Sequence, residues 1–258
     1  MSALRTNVLM DSNTKAPLIW GAQTLNPGDW HLLDQLWFCL KPAQAEAVIS
    51  YCYSEFTHGN YQQFSALHEL RVAGSEQLTA HPGVSDKAIV ARPVQAIHLP
   101  GDSAIKLYVG TPLWFILRYR AEIILDVPVA RLSDSWFGPN TQLGEVCYAS
   151  KTHARLSLDG IEPNPFKAIT PVTVRNRTNK PMIIDKINIP VQHLSLYQGD
   201  HRYWTSGIRL SSNEKASDSE VKISSNPPEA SQNPLLLAPP RQPLSDGILR
   251  KTLDFLLG

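Results

Sequence analysis

A period-two alternation of apolar and polar residues is the main pattern in the first half of the chain. In QAEAVISYCYSEF (residues 44–56), the set Ala45, Ala47, Ile49, Tyr51 and Tyr53 alternates with a more polar set. Aromatic and β-branched residues at this period are typical of a β-strand. The pattern therefore predicts a strand, with a short helix over residues 42–48 as the alternative. WHLLDQLWFCL (30–40) predicts another strand.

The most apolar stretch is LWFILRYRAEIILDVPV (113–129). It is long enough for a helix, but β-branched and aromatic residues dominate it and Pro128 lies near its end, so we predict two strands. Farther on, PVTVRNRTNKPMIIDKINIP (171–190) has the form of a strand, a polar turn and a second strand. HLSLYQGDHRYWTSGIRL (193–210) predicts a hairpin around Gln198-Gly199-Asp200.

These elements predict an all-β protein of antiparallel sheets, arranged as an immunoglobulin-like or jelly-roll-like β-sandwich. The chain has 258 residues, a length that fits one or two packed β-domains. We expect the first β-domain to span residues 1–110 and the second, immunoglobulin-like domain to span residues 111–212. The 20 Pro residues also disfavour long helices.

The composition changes abruptly after Ser211. Residues 211–234 are rich in Ser, Asn, Glu and Pro, and a segment of this kind buries too little apolar surface to offset its ordering entropy. Residues 213–243 are therefore predicted to be a flexible linker. Residues 244–258 predict a short amphipathic helix with Ser245 as its N-cap. Its proposed partner-docking residues are Ile248, Leu249, Leu253, Phe255 and Leu256.

Charge and composition exclude several classes of function. The 24 Lys and Arg residues nearly balance 23 Asp and Glu, for a net charge of +1, and no basic stripe is visible along the sequence. We therefore expect no nucleic-acid partner. No apolar run is long enough for a signal peptide or a membrane span. The three cysteines are then expected to be reduced thiols in a cytoplasmic protein.

Recognised catalytic and metal-binding motifs are missing from the sequence, so we predict no catalytic residue, no metal site and no cofactor. Two weak constellations remain. Cys147 and His153 lie six residues apart in DSWFGPNTQLGEVCYASKTHARL (134–156), where a small buried Cys in a strand is favoured over a nucleophile. The late hairpin carries the second set, His193, Asp200, His201 and Arg202, with Asp185 upstream, and such residues are more often solvated charges than a site.

The six Trp residues predict mainly core positions, because each buries a large apolar area. Trp136, followed by Phe137 and a Gly-Pro turn, is the best candidate for an exposed one. Exposed rings would serve a carbohydrate-binding or other ligand-binding sandwich. The complete set of candidate ligand or partner contacts is Trp136, Phe137, His153, His193, Asp200, His201 and Trp204.

Four segments resemble the DUF432 family, an uncharacterised group of bacterial and archaeal proteins. They are TPLWF (111–115), SDSWFGPNTQLGEVCYASKTHARL (133–156), ITPVTVRNRTNKPMIIDKINIPVQHLSLY (169–197) and YWTSGIRL (203–210). LIWG (18–21) and WHLLDQLWFCL fit the opening strands of the same family, so the resemblance covers about residues 17–212. The family has no assigned activity, and the resemblance therefore implies no catalytic residues.

Genes of this family are sometimes found beside those of small-conductance mechanosensitive channels. The resemblance accordingly implies a cytoplasmic accessory protein that docks on such a channel or at a membrane surface. The favoured hypothesis is a non-enzymatic protein-interaction module. The alternatives are a carbohydrate- or small-ligand-binding sandwich and an enzyme with a site around Cys147 and His153.

Overall fold

A computed structural model of the chain describes residues 20, 28, 30–43, 46–57, 61–73, 78–138, 144–199, 201–214 and 220–243. Over these residues the regular structure is β-strand, apart from one 3-10 helix at Val191–His193, so the prediction of an all-β protein is confirmed. The strands are β1 (Trp30–Leu33), β2 (Leu36–Ala43), β3 (Glu46–Thr57), β4 (Tyr61–Phe64), β5 (His68–Ala73), β6 (Leu78–Gly83), β7 (Ile89–Pro93), β8 (Ile97–Leu99), β9 (Ser103–Pro112), β10 (Trp114–Tyr119), β11 (Glu122–Pro128), β12 (Ser133–Phe137), β13 (Glu145–Arg155), β14 (Lys167–Asn176), β15 (Met182–Ile184), β16 (Ile187–Ile189), β17 (Leu196–Gly199), β18 (Arg202–Thr205), β19 (Ile208–Ser212), β20 (Glu220–Ile223) and β21 (Leu235–Ala238).

Two of the sheets form a small sandwich. One has the order β1-β2-β3-β4, with β5 also paired to β3, and the other has the order β11-β10-β6. Apolar side chains from both sheets share one core, in which Phe38 of β2 and Phe115 of β10 are fully buried with ring centroids 4.8 Å apart. The predicted pair of strands in residues 113–129 is the antiparallel hairpin β10–β11.

The segment WHLLDQLWFCL differs from the single strand that was predicted. It forms the antiparallel hairpin β1–β2, with Asp34 at the turn in the left-handed region (φ 56°). An Asp tolerates this conformation better than most residues, which lets the chain reverse inside an otherwise strand-like sequence. The strand predicted in residues 44–56 is confirmed as β3.

An eleven-stranded sheet makes up most of the remainder. Its main path is β16-β7-β13-β9-β14-β18-β17-β21, with β12 on β13 and with β19 and then β20 beside β14. The hairpin predicted around Gly199 is confirmed as β17–β18. Three pairings, β7–β13, β14–β18 and β14–β19, are parallel, so this sheet is mixed and not antiparallel throughout as expected.

Every second residue of the central strands of this sheet contributes to a second hydrophobic core. Leu107 and Val109 of β9, Val172 and Val174 of β14, and Leu210 of β19 have no exposed surface. The two-stranded sheet β8–β15 adds Leu99 and Ile184 to the same core. We call the side of the sheet that these residues occupy the inner face, and the opposite side the outer face.

Residues 213–243 were predicted to be a flexible linker. Two parts of this segment instead form strands. β20 extends the sheet beside β19, and β21 pairs with β17. The prediction is wrong for these strands because backbone hydrogen bonding at a sheet edge does not require an apolar sequence. In β20, Val221 is the one buried side chain.

Arg241 connects the end of this segment to the rest of the protein through an ion pair and hydrogen bonds. Its guanidinium donates to both carboxylate oxygens of Asp126 in β11, and its Nε donates to the carbonyl oxygen of Val84 at 2.5 Å. The next residue, Gln242, is hydrogen-bonded through its backbone to Gln192 and to the His193 ring, at 3.0 and 2.9 Å. The segment therefore ends in contact with β11 of the small sandwich and with residues that border the second core.

The domain boundary predicted at residue 110 falls inside β9. All ten residues of β9 pair with β14, from Ser103–Asn176 to Pro112–Lys167, so the chain is not divided there. Strands β10 and β11 instead return to the N-terminal sandwich. The predicted helix at 244–258 lies outside the described residues. In the part of the chain that is described, no helix is both long and apolar enough to cross a membrane.

Candidate functional site

A row of cations crosses the outer face of the large sheet. Lys106 of β9 pairs with Thr173 of β14, and Thr173 pairs with Arg209 of β19. Arg209 in turn pairs with Lys222 of β20. Residues that pair directly in a sheet have side chains on the same face. Three of the four positions in the row are therefore cations that share one face, and all three are exposed.

The cationic character continues on either side of this row. Arg175 lies two residues beyond Thr173 in β14, and Arg155 of β13 pairs with Tyr108, two residues beyond Lys106. Farther along β13, His153 pairs with Arg92 of β7. We call this surface the basic face. Its cations are Arg92, Lys106, Arg155, Lys167, Arg175, Arg202, Arg209 and Lys222.

Few carboxylates offset this charge. Glu220 forms an ion pair with Lys222, at 2.9 Å, and Glu162 and Glu229 line cavities at the margins of the face. Within the described residues, Lys106, Arg155, Lys167, Arg175, Arg202 and Arg209 form no ion pair within 4.0 Å. An uncompensated group of like charges raises the local positive potential and attracts anions. The basic face is thus suited to contact an anionic partner.

The basic face could not be recognised from the overall composition. The net charge of +1 and the absence of a basic stripe led only to the expectation of no nucleic-acid partner, and they gave no sign of this face. In a strand, alternate residues lie on opposite faces, so single cations in IKLYV, VTVRN, GIRL and EVKI reach one side while their apolar neighbours reach the other. Cations at outward positions of the predicted strands were the available signal.

An aromatic cluster on the outer face lies among these charges. Ile169 of β14, Trp204 of β18 and Tyr197 of β17 pack together, and Tyr108, Leu158, Ile161 and Ala230 pack against them. Trp204 is 1% exposed and donates its indole N–H to the carbonyl oxygen of Gly199 at 3.2 Å. Trp204 was predicted as a ligand contact, and this is wrong because the loops around residues 158–161 and 230 cover it.

Two cavities adjoin the cluster. One, of about 410 Å³, lies between the sheet and the loop at residues 160–164, and Tyr108, His153, Arg155, Lys167 and Arg202 line it. The other, of about 440 Å³, is bordered by Lys106, Arg209, Lys222 and the loop at residues 224–229. His153, a predicted contact, is exposed at the first cavity.

Cys147 and His153 do not form a catalytic pair. The register of β13 against β7 shifts by two residues between Ala149 and His153, and Cys147 is fully buried whereas His153, six residues farther along the strand, is not. Cys147 therefore points into a small core with Ala88, Val90 and Phe137, and His153 is exposed. Burial, with Glu145 and Asp134 nearby, raises the pKa of the Cys147 thiol to about 11. A thiol in this state is a poor nucleophile near neutral pH.

Two other predicted contacts are buried. Phe137 is 2% exposed in the Cys147 core because it alternates with Trp136 in β12, and Lys186 covers its ring with the ammonium 5.1 Å from the centroid. His193 is 3% exposed, and Nδ1 is hydrogen-bonded to the carbonyl oxygen of Gln242. Neither side chain is available to a partner, so both predictions are wrong.

The predicted exposure of Trp136 is confirmed. Trp136 is 47% exposed and pairs with Val146 of β13, which is 49% exposed. His201 is exposed in the β17–β18 turn at φ 57°. Asp200 and the helix residues Ile248, Leu249, Leu253, Phe255 and Leu256 lie outside the described residues. Trp136 and His201 are also far apart in the sheet, because strands β9 and β14 lie between β13, which pairs with the strand of Trp136, and the β17–β18 hairpin. Neither residue lines either of the two cavities.

A search for metal ligands among the described residues finds no group of three or more His, Cys, Asp and Glu side chains arranged around a common point. No curated protein and no solved structure matches the chain. One family model does match, over residues 19–257, and its description is protein of unknown function (DUF432). The match continues past residue 212, where the sequence resemblance ended, and so includes β20, β21 and Arg241. The chain therefore belongs to the DUF432 family.

Proposed function

We propose that the protein is a non-enzymatic interaction module that binds an acidic surface of a protein partner through its basic face. The observation that carries the proposal is the row Lys106, Thr173, Arg209 and Lys222, which aligns cations across four adjacent strands. Neighbouring strands are about 4.8 Å apart, so the Cα atoms of Lys106 and Arg209 are separated by about 10 Å. A rigid array of charges at this spacing matches an extended acidic surface better than a single ion.

The arrangement also supports a protein partner in another way. The basic face lies on a sheet whose other side is fully packed, so its side chains are held on a scaffold that needs little reorganisation on binding. Complementary charge of this kind accelerates association and selects the partner. The buried thiol of Cys147 favours this function over the enzyme that was considered as an alternative.

The carbohydrate-binding alternative required two or more exposed, coplanar Trp rings. Five of the six Trp side chains are buried or partly buried, and Trp136 alone is largely exposed. A single exposed ring offers one stacking surface, which gives less support to a sugar-binding platform than the basic face gives to an acidic partner.

The partner that the family resemblance suggests is a mechanosensitive channel or another complex at the cytoplasmic membrane surface, and we propose a cytoplasmic location on the same basis. The apolar residues of the predicted C-terminal helix (residues 244–258, here called the tail), including Leu253 and Phe255, would add a second contact. In this proposal the basic face selects the partner and the tail strengthens the complex.

A comparison of three baits tests the proposal. The baits are the wild-type protein, a face variant (Lys106→Glu, Arg175→Glu and Arg209→Glu) and a control variant (Lys41→Glu, Arg71→Glu and Arg120→Glu). Both variants reverse one Lys and two Arg side chains that are exposed, but the control changes lie on the small sandwich. Proteins retained on each bait from cytoplasmic and membrane fractions are then quantified by mass spectrometry.

We expect the wild type and the control variant to retain the same partner and the face variant to lose it by tenfold or more. Equal retention by both variants would contradict the proposed role of the basic face. The contribution of the tail is measured separately with Leu253→Glu and Phe255→Glu in the full-length protein. Unchanged retention by that variant would remove the tail from the proposal and leave the basic face unaffected.

A further inference from the structure

The cavity beside Tyr108 has the features of a built binding site and is separate from the flat row of cations. Its floor is the outer face of the sheet, where Tyr108 and Ile169 lie, and its wall is the loop at residues 160–164. A volume of about 410 Å³ is within the range of cavities that hold small organic ligands. The cavity is therefore large enough for more than an inorganic ion.

The wall of the cavity is ordered by its own hydrogen bonds. The backbone N–H of Ile161 donates to the carbonyl oxygen of Leu158 at 3.1 Å, and that of Phe166 donates to Asn164 Oδ1 at 2.7 Å. Gly160 at φ 70° provides the left-handed turn between Leu158 and Ile161. Since the loop also packs Ile161 onto the aromatic cluster, the cavity is formed before any ligand arrives.

Positive charge converges on this cavity. Arg155, Lys167 and Arg202 come from three different strands, and His153 lies beside them at the rim. None of the three permanent cations is in an ion pair with a described residue, and Glu162 is the carboxylate among the lining residues. Asp34 is a more distant carboxyl whose charge interacts with Lys167, although burial raises its pKa. Two guanidinium groups and an ammonium match the charge and geometry of a phosphate dianion.

Apolar and aromatic side chains also line the cavity. The ring of Tyr108 and the side chains of Ile161 and Ile169 lie next to the cations, and the buried Trp204 packs beside Ile169 on the same face. An aromatic ring beside a cation cluster favours a flat organic group that carries a negative charge. A free inorganic anion would leave this surface unused.

We infer that this cavity binds a small organic phosphate monoester whose phosphate contacts Arg155, Lys167 and Arg202 and whose ring packs against Tyr108. This site goes beyond the proposed docking of an acidic protein and does not depend on it. The three-bait comparison leaves Arg155, Lys167 and Arg202 in place. The Lys106 ammonium lies 5.6 Å from the centroid of the Tyr108 ring, but the calorimetric test below leaves Lys106 unchanged, so each proposal can fail without the other.

Isothermal titration calorimetry of the full-length protein tests the site with defined probes. The probes are adenosine monophosphate, which has a ring and a phosphate monoester, adenosine, which has only the ring and sugar, and inorganic phosphate. The variants are Arg155→Gln and Arg202→Gln in the cavity, with Arg209→Gln as a matched control on the same face but outside it. Thermal melting verifies that each variant is folded, and the two cavity variants lie on different strands, so either one is sufficient.

We expect adenosine monophosphate to bind the wild type and the Arg209→Gln variant with the same affinity. Each cavity variant should bind it at least tenfold more weakly, because a charge-assisted contact to the phosphate is lost. Adenosine and inorganic phosphate should both bind at least tenfold more weakly than adenosine monophosphate. The inference is overturned if the wild type does not bind adenosine monophosphate at millimolar concentration, if the Arg209→Gln variant loses as much affinity as the cavity variants, or if inorganic phosphate binds as tightly.

Discussion

The two faces of the large sheet are formed by the same strands but differ in burial and in charge. On the inner face, Leu107 and Val174 are fully buried in a core, whereas their immediate neighbours Lys106 and Arg175 are exposed on the outer face. One set of alternate residues therefore supplies the apolar burial that stabilises the fold. The other set supplies a concentrated positive charge. The comparison shows that the apolar core and the basic face are encoded in the same few segments at a period of two.

The largest effect is expected on the inner face. Replacing Leu107 with Ala removes a fully buried side chain from the centre of the core and should lower the free energy of unfolding by about 2–5 kcal/mol. Chemical denaturation with guanidinium chloride measures this loss. Its matched control is Lys106→Ala, the adjacent residue on the outer face, which should change the free energy of unfolding little. Similar losses for both variants would remove the distinction between the two faces.

An intermediate effect is expected at the contact that ties the C-terminal strands to the sandwich. In Arg241→Ala, Asp126 loses its bidentate partner and the carbonyl oxygen of Val84 loses a donor, so the free energy of unfolding should fall by about 1–3 kcal/mol. Hydrogen exchange should also become faster in β20 and β21. The conservative variant Arg241→Lys should retain part of the stability. If exchange in these strands does not change, Arg241 does not hold the segment in place.

The smallest effect is expected from Cys147, as a dependence of stability on pH. Burial raises the pKa of this thiol from the ordinary 9.0 to about 11 in the folded protein. A raised pKa means that the folded state keeps its proton longer than the unfolded state, so stability is retained below pH 9 and falls as the pH rises towards 11. Denaturation at several pH values should show a steeper fall for the wild type than for Cys147→Ala. Parallel curves would mean that the thiol is not buried as described.

Local elements of the fold could be predicted from the sequence because alternation and turn residues act over a few positions. Strand β3 and the hairpins β10–β11 and β17–β18 were found in this way. The contacts between distant segments could not be predicted. Lys106 and Arg209 share a face only because β14 pairs with β9 on one side and with β19 on the other.

The candidate site was predicted only in part, for two physical reasons. Net charge averages over the whole chain, so it does not report that cations collect on one side of a sheet. Burial also does not follow from alternation alone: Cys147 and His153 lie on the same side of β13, but Ala88, Val90 and Phe137 pack around Cys147, whereas His153 is exposed. The exposure of Trp136 was predicted because it depends on local sequence.

The central claim is that the outer face of the large sheet is the recognition surface of this DUF432 protein. The most direct test is the amount of partner retained by the face variant (Lys106→Glu, Arg175→Glu and Arg209→Glu) relative to the control variant (Lys41→Glu, Arg71→Glu and Arg120→Glu), measured at low and at physiological salt. We predict a ratio of about one tenth or less, together with weaker retention by the wild type as salt rises, because exposed charges are screened over about 8 Å at physiological ionic strength. A ratio near one at both salt concentrations would contradict the account.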